Sequence, residues 1–196
     1  LLYLMPYLRA AFPGCRFVHV VRDGRDMAVS GNQNQVREHF RAMFDKPIPR
    51  DTEHAAMRLW STVNVDAATH GHLTMGSRYQ ILRYEDLSRA PAETIGKMMA
   101  GLGLSVDAAA TERAVDLVRP STTMGRGVET SDVRRSKLEA IGGRGLRFFG
   151  YQRRDSAGCA GPKVSKPAVF VAGCDQAATS TAAGAVADMG LDIGRS

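Results

Sequence analysis

The chain has 196 residues, of which 44% are hydrophobic, and a formal net charge of +6. This is enough for one hydrophobic core, and no apolar run approaches the ~20 residues of a membrane span, so none is predicted. The three cysteines are odd in number and lack the spacing of a metal site, which disfavours a disulfide framework and predicts a reducing, cytoplasmic location.

The chain opens with an apolar segment and continues into a strand. Residues 1–12 place apolar side chains at helical spacing and lack a basic leader, which predicts a core helix and not a signal peptide. The run 17–21 is short, apolar and rich in β-branched residues, as buried parallel strands are. Arg22 follows it, and a polar turn then leads into an amphipathic helix predicted to carry Ser30 in its second turn.

Arg22 and Ser30 have two interpretations. Ligands of α/β proteins collect beyond the carboxyl ends of parallel strands, where an Arg fork and a hydroxyl can converge on one phosphate. Alternatively, Arg22 pairs with Asp23 or Asp26, and Ser30 faces solvent. The spacing alone leaves both open.

The middle of the chain predicts further helices and one more strand. An exposed loop is expected over 40–52, and Trp60 is expected in the core. Helices are predicted over 53–72, 91–102 and 107–118, and a second strand over 79–84. Glu85 and Asp86 are expected to form a loop, to cap the next helix and to hold Arg22 or Arg83. The glycines of 141–145 are expected to interrupt helical character.

Charge and histidine placement limit the partners. Segment 119–154 holds nine basic and three acidic residues, which suits a phosphorylated ligand or an acidic substrate, or is a solvated surface. Aromatic residues are not interleaved with these charges, so no nucleic-acid partner is predicted. The histidines share no spacing with other ligand types, so no metal site is predicted.

Three stretches, taken in order, resemble a known family. VHVVRDGRDMAVS at 18–30 combines a strand, an Arg, a polar turn, an Asp and a Ser eight residues after the Arg. LRYEDL at 82–87 and LRFFGY at 146–151 follow. Together they resemble the 3′-phosphate segment, the YED segment and the closing helix of sulfotransferases, which use 3′-phosphoadenosine 5′-phosphosulfate. The resemblance covers 1–154 and implies an α/β, three-layer parallel-sheet fold of the P-loop type, here incomplete or permuted.

The resemblance also implies a chemistry and a set of binding residues. A sulfuryl group passes from the nucleotide donor to a hydroxyl or amine acceptor, leaving adenosine 3′,5′-bisphosphate. Arg22 and Ser30 take the 3′-phosphate, and Tyr84 lies near the adenine unless it is a core tyrosine with a bonded hydroxyl. The loop 121–128 brings Arg126 and glycine-freed N–H groups to the 3′-phosphate. No catalytic residue is identified.

The tail resembles the opening phosphosulfate loop of the same family. Gly173, Thr179 and Ser180 match that loop's pattern. Gln176, however, stands where the family has an Arg, and Ala178 stands where it has a Gly. Phosphate binding there is therefore expected to be weak.

The order of the segments leaves two domain organisations open. The chain is divided into a sulfotransferase-like domain (1–154) without its phosphosulfate loop, a linker (155–167) and a strand–loop–helix unit (168–196). The family places that loop before the 3′-phosphate strand, whereas here it follows the closing helix. The favoured interpretation is a fragment spanning two tandem units, with completion by a second unit. The alternative is a permuted domain whose tail strand fills the central position of the sheet.

The leading hypothesis is a sulfotransferase that alone is weakly active or inactive. The alternative is a non-catalytic nucleotide-binding or regulatory module on the same scaffold. A P-loop kinase is disfavoured, because the tail loop lacks the Lys of that motif.

Overall fold

The computed structural model describes residues 2–105, 107–152 and 169–173. Over these residues the chain is an α/β protein. The strands are β1 (Arg16–Val21), β2 (Tyr79–Arg83) and β3 (Val169–Gly173). The helices are α1 (Met5–Ala11), α2 (Gly24–Ala28), α3 (Asn34–Phe44), α4 (Thr52–Met75), α5 (Tyr84–Arg89), α6 (Pro91–Gly101), α7 (Ala108–Asp116) and α8 (Asp132–Phe148). No helix in this described part is long and apolar enough to cross a membrane.

The described residues form two compact units. The first comprises those within 1–21, 67–120 and 158–196, and it contains the sheet. The second comprises those within 22–66 and 121–157, and it contains the polar segment that follows β1.

The sheet is parallel, with β1 between β2 and β3. Every residue of β1 is buried, as expected for a parallel strand that is covered on both faces. Within the sheet, burial raises the pKa of Tyr79, and its hydroxyl lies 2.5 Å from Nδ1 of the buried His19. The prediction of a buried parallel strand after the first helix is confirmed.

The tail strand is present as β3, and it is parallel to β1. The choice between the tandem and the permuted organisation stays a prediction. β1 pairs directly with β2 on one side and with β3 on the other, so β1 is the central strand of the three. The predicted linker (155–167) and the predicted loop after Gly173 lie outside the described residues.

The predicted helix through Ser30 is wrong. Helix α2 ends at Ala28, Val29 is its C-cap, and Ser30 lies beyond it. The Gln33 side-chain amide donates to the carbonyls of Ala28 (3.1 Å) and Ser30 (2.6 Å). These bonds satisfy acceptors that a continuing helix would use, and a new helix starts at Asn34.

Two predicted loops are partly helical. Helix α3 extends into the loop expected over 40–52 because the Phe40 side chain is buried, which leaves 45–51 between α3 and α4. Glu85 and Asp86 lie in the first turn of α5, where acidic side chains stabilise the helix N-terminus. Asp86 also pairs with Arg83 at 3.8 Å.

The predicted interruption at 141–145 is also wrong, since α8 runs through it. Helix propensity disfavours glycine, but packing reverses that preference here. A Cβ on Gly142 would meet the Met57 side chain, and one on Gly145 would lie 2.6 Å from the Trp60 ring. The Gly145 N–H also donates to Oγ of Ser61 at 3.0 Å. The glycines therefore allow α8 to approach α4 closely, and the tertiary contact retains the helix.

We expect two glycine-to-alanine substitutions in α8 to have opposite effects. Gly145→Ala should lower the free energy of unfolding by about 2 kcal/mol, because its Cβ would be 3.1 Å from the Ser61 backbone as well as close to Trp60. Gly143→Ala should raise it by up to ~1 kcal/mol, because its Cβ would meet only the tip of the exposed Arg147 side chain. Chemical denaturation followed by circular dichroism measures both. Changes of the same sign in the free energy of unfolding of the two variants would contradict the packing role assigned to Gly145.

Candidate functional site

The segment after β1 places a guanidinium at the carboxyl end of the strand. Arg22 is the first residue after β1, and only 7% of it is exposed. Asp23 then turns the chain as the N-cap of α2, where its carboxylate accepts from the Arg25 N–H at 2.9 Å. A capping Asp accepts from an N–H group that the helix leaves unpaired, and its negative charge interacts favourably with the positive end of the helix dipole. The Asp23 carboxylate therefore stabilises the first turn of α2.

Arg25 is a structural residue of this segment. Its guanidinium donates to the Asp23 carboxylate at 2.7 Å, to Glu139 at 2.6 Å and to the Tyr151 carbonyl at 2.9 Å. Burial lowers the pKa of Arg25, but hydrogen bonds and charges from Asp23 and Glu139 outweigh burial and raise its pKa overall. Its donors are committed to protein acceptors, so Arg25 ties α2 to α8 and to the end of the closing segment.

Asp26 holds the loop 121–128 against α2. One carboxylate oxygen accepts from the Gly125 N–H and the other from the Gly127 N–H, each at 2.8 Å. Gly125 has φ +91°, a conformation that glycine adopts at low cost. At Gly127 an added Cβ would collide with backbone atoms of Arg25. The two glycines therefore allow the loop to present two N–H groups, two residues apart, to one buried carboxylate.

This use of the glycine N–H groups differs from the sequence expectation. They were expected to be free for a phosphate, but in the structure Asp26 is their acceptor. The Asp of the motif thus anchors the loop.

Arg22 itself contacts Asp26 and the loop. Its Nη2 lies 3.3 Å from the Asp26 carboxylate and 2.9 Å from Oγ1 of Thr123. The Thr123 hydroxyl lies 2.8 Å from Oγ of Ser121. The ion pair with Asp26, one of the two interpretations of this Arg, is therefore present. The structure also groups the guanidinium with two hydroxyls, which are groups that bind phosphate oxygens.

Trp60 supports Arg22 from the side of the core. Only 4% of Trp60 is exposed, which confirms its predicted core position. Its indole N–H donates to the Arg22 carbonyl at 3.0 Å, so it fixes the backbone at the end of β1. The neighbouring Asn64 donates to the Trp60 carbonyl at 2.7 Å and is 1% exposed.

Two of the predicted site residues lie in the same unit as Arg22. Ser30 is half-buried, and its hydroxyl accepts from the Asn32 N–H at 3.2 Å. Arg126 is exposed on the loop between the two glycines that bond Asp26. The structure thus brings the loop to Arg22 through Thr123, while the Arg126 side chain remains in solvent.

Of the other predicted site residues, Tyr84 and Gly173 belong to the first unit. Tyr84 begins α5, is 1% exposed, and its hydroxyl donates to the Arg119 carbonyl at 3.3 Å. This is the geometry of the core tyrosine that was its alternative interpretation. Gly173 is the last residue of β3, and Thr179 and Ser180 lie outside the described residues.

The contact of Thr123 with Arg22, and the two hydrogen bonds by which Asp26 holds the loop, were not predicted from the sequence. The hydroxyl-rich run Ser121-Thr122-Thr123 before a glycine pair was a visible signal, but nothing in it distinguishes Thr123 from Thr122. The contact spans 101 positions in the chain, so only the fold could identify the partner.

Most of the predicted basic patch is exposed surface. Arg134 pairs with Glu53, and Arg144 pairs with Asp66 at 3.4 Å. Three of these side chains are well exposed and that of Glu53 is partly exposed. Such pairs contribute little to stability. Arg153 and Arg154 lie outside the described residues.

Comparison with known proteins identifies the family. A model described as the sulfotransferase family matches residues 2–108, just over half of the chain. No curated protein and no solved structure gives a significant match. The matched range contains β1, Arg22, Ser30 and the YED segment. The chain therefore belongs to the sulfotransferase family.

Proposed function

We propose that this chain binds a 3′-phosphoadenosine nucleotide at the end of β1 and acts in sulfuryl transfer from 3′-phosphoadenosine 5′-phosphosulfate to a hydroxyl or amine acceptor. The observation that carries the proposal is Arg22, which lies within the family match and directs its guanidinium to the Thr123 hydroxyl at 2.9 Å. A buried guanidinium beside hydroxyl groups fits a phosphate, because all of these groups can donate to its oxygens.

In this proposal Arg22 and Ser30 bind the nucleotide and do not react. Sulfuryl transfer breaks the bond from sulfur to the bridging phosphate oxygen, forms a bond to the acceptor oxygen or nitrogen, and releases the acceptor's proton to a base. Arg22 holds the 3′-phosphate so that the donor has one orientation. Correct orientation is a large part of the rate enhancement in such a displacement.

We expect turnover to be slow because of the tail loop. Gln176 supplies no positive charge, and Ala178 restricts the backbone where the family has an Arg and a Gly. Charge that develops on the bridging oxygen would therefore lack a cationic partner from this loop.

The same loop favours the alternative function, a non-catalytic nucleotide-binding or regulatory module. The double substitution Gln176→Arg with Ala178→Gly distinguishes the two. Gain of donor binding and sulfuryl transfer would indicate an eroded enzyme site, whereas unchanged binding would indicate the module.

We expect Arg22→Lys to weaken binding of adenosine 3′,5′-bisphosphate about 10-fold, because Lys keeps the charge but lacks the planar two-donor fork. Isothermal titration calorimetry on the full chain measures this effect. The matched control is Arg41→Ala, since Arg41 is an exposed cation on α3 and should leave the affinity unchanged. Equal affinities for wild type and Arg22→Lys, or an equal loss in the control, would contradict the assignment of Arg22.

A further inference from the structure

We propose that Thr123 is a specificity-determining ligand for the 3′-phosphate and that Asp26 is the residue that positions it. This inference rests on the proposed nucleotide site and adds the group that discriminates a 3′-phosphorylated nucleotide from an unphosphorylated one. Thr123 lies beyond the range matched by the family model, so the proposal depends on the contacts of this chain.

The geometry places the Thr123 hydroxyl beside the guanidinium. Oγ1 of Thr123 accepts from Nη2 of Arg22 at 2.9 Å and lies 2.8 Å from Oγ of Ser121. The Ser121 hydroxyl also accepts from the Thr123 N–H at 3.2 Å. These bonds restrict the rotamer of Thr123, so its hydroxyl is held next to the charge that a phosphate would approach.

The loop that carries Thr123 is itself fixed. Asp26 accepts the N–H groups of Gly125 and Gly127, two and four residues further along, at 2.8 Å each. The same carboxylate lies 3.3 Å from Arg22. One buried side chain therefore sets the position of both the guanidinium and the loop.

These contacts also decide which groups serve the phosphate. The glycine N–H groups donate to Asp26, and Arg126 is exposed. On this loop the Thr123 hydroxyl contacts Arg22, and the Ser121 hydroxyl lies 2.8 Å from the Thr123 hydroxyl. A hydroxyl can rotate its proton toward a phosphate oxygen while still accepting from Arg22. Hydrogen bonds to charged groups are stronger than those between neutral groups, so a single hydroxyl is sufficient for measurable discrimination.

The test compares two nucleotides that differ only in the 3′-phosphate. Binding of adenosine 3′,5′-bisphosphate and adenosine 5′-monophosphate to the full chain is measured by calorimetry. Thr123→Val, which keeps the shape and removes the hydroxyl, should weaken bisphosphate binding about 10-fold and change monophosphate binding by less than about twofold. Thr123→Ser should retain most of the wild-type preference.

Thr122→Val is the matched control, because Thr122 is the exposed neighbour on the same loop and should behave as wild type. A merely structural role for Thr123 would weaken both nucleotides equally, and that result would overturn the inference. Retention of the wild-type preference in Thr123→Val would overturn it as well, while leaving the proposed function intact. If wild type shows no preference for the bisphosphate, the proposed function and the inference both fail. A thermal melt of each variant confirms that it is folded during the titration.

Discussion

Asp26→Ala is expected to lower the free energy of unfolding by about 3–5 kcal/mol, the range for removal of one partner of a buried ion pair. The substitution removes the carboxylate that lies 3.3 Å from Arg22, and it leaves the Gly125 and Gly127 N–H groups without their acceptor. A buried N–H without a partner is costly, because water satisfied it in the unfolded chain. Denaturant titration with circular dichroism gives the change in stability.

A matched control and a local measurement separate this effect from a general loss of charge. Asp132→Ala removes a carboxylate that pairs with Arg135 but is 88% exposed, so it should cost less than about 1 kcal/mol. Amide hydrogen exchange should accelerate at Gly125 and Gly127 in Asp26→Ala more than it does in α8. A loss below 1 kcal/mol, with exchange at both glycines unchanged, would show that Asp26 does not hold the loop.

Much of the fold follows from local pattern. The β-branched run before Arg22 forms the central strand, and the long helix around Trp60 forms as its apolar spacing indicates. Where prediction failed, a contact distant in sequence had reversed a local preference. Glycine weakens a helix locally, but Gly142 and Gly145 stay helical because they pack on Met57 and Trp60. Helix propensity depends on the residue type alone, so it takes no account of a packing partner some 80 residues away in the sequence.

The end of α2 has a different cause. The helical spacing that suggested a helix through Ser30 is interrupted by Gln33, whose side-chain amide takes the carbonyls of Ala28 and Ser30. A glutamine is compatible with a helix interior, so the presence of Gln33 did not indicate that the helix would end before it. The conformation depends on where one side chain folds back, which periodicity does not specify.

The assignment of Arg22 and Ser30 to a phosphate at the end of β1 stays a prediction. The structure shows that the glycine-rich loop contacts Arg22 through Thr123. From the sequence, a phosphate of the ligand was expected to accept from the glycine N–H groups. In the structure the Asp26 carboxylate accepts from them. An Asp four residues after an Arg indicates an ion pair within one helical turn. Its second role, to accept from the N–H groups of the two loop glycines, is visible only when the loop is in its folded position.

The same contacts explain how an acidic residue can be compatible with an anion site. Asp26 lies close to Arg22, and an isolated carboxylate there would repel a phosphate. Its two oxygens instead accept from Gly125 and Gly127, so its charge is partly neutralised by N–H dipoles. Near Arg22 the loop places the Thr123 hydroxyl, so in the proposed site Thr123 and not Asp26 contacts the ligand.

Trp60→Ala is expected to lower the free energy of unfolding by about 3–5 kcal/mol, the usual range for removal of a large buried aromatic side chain. Trp60 packs against Phe149, with ring centroids 6.0 Å apart, and it would meet a Cβ on Gly24 or Gly145. Small residues around the indole are thus matched to its size. Because Trp60 is the only tryptophan, unfolding must be followed by circular dichroism and not by its fluorescence.

Trp60→Phe separates the hydrogen bond from the packing. It keeps an aromatic ring but loses the donor to the Arg22 carbonyl, so a smaller cost of about 1–3 kcal/mol is expected. It should also weaken adenosine 3′,5′-bisphosphate binding, because the backbone that carries Arg22 is no longer held. Leu73→Ala on the same helix is the control, since Leu73 is 80% exposed and should change stability by less than about 0.5 kcal/mol. If Trp60→Phe binds the nucleotide as wild type does, Trp60 serves the core alone, and its bond to Arg22 has no part in ligand binding.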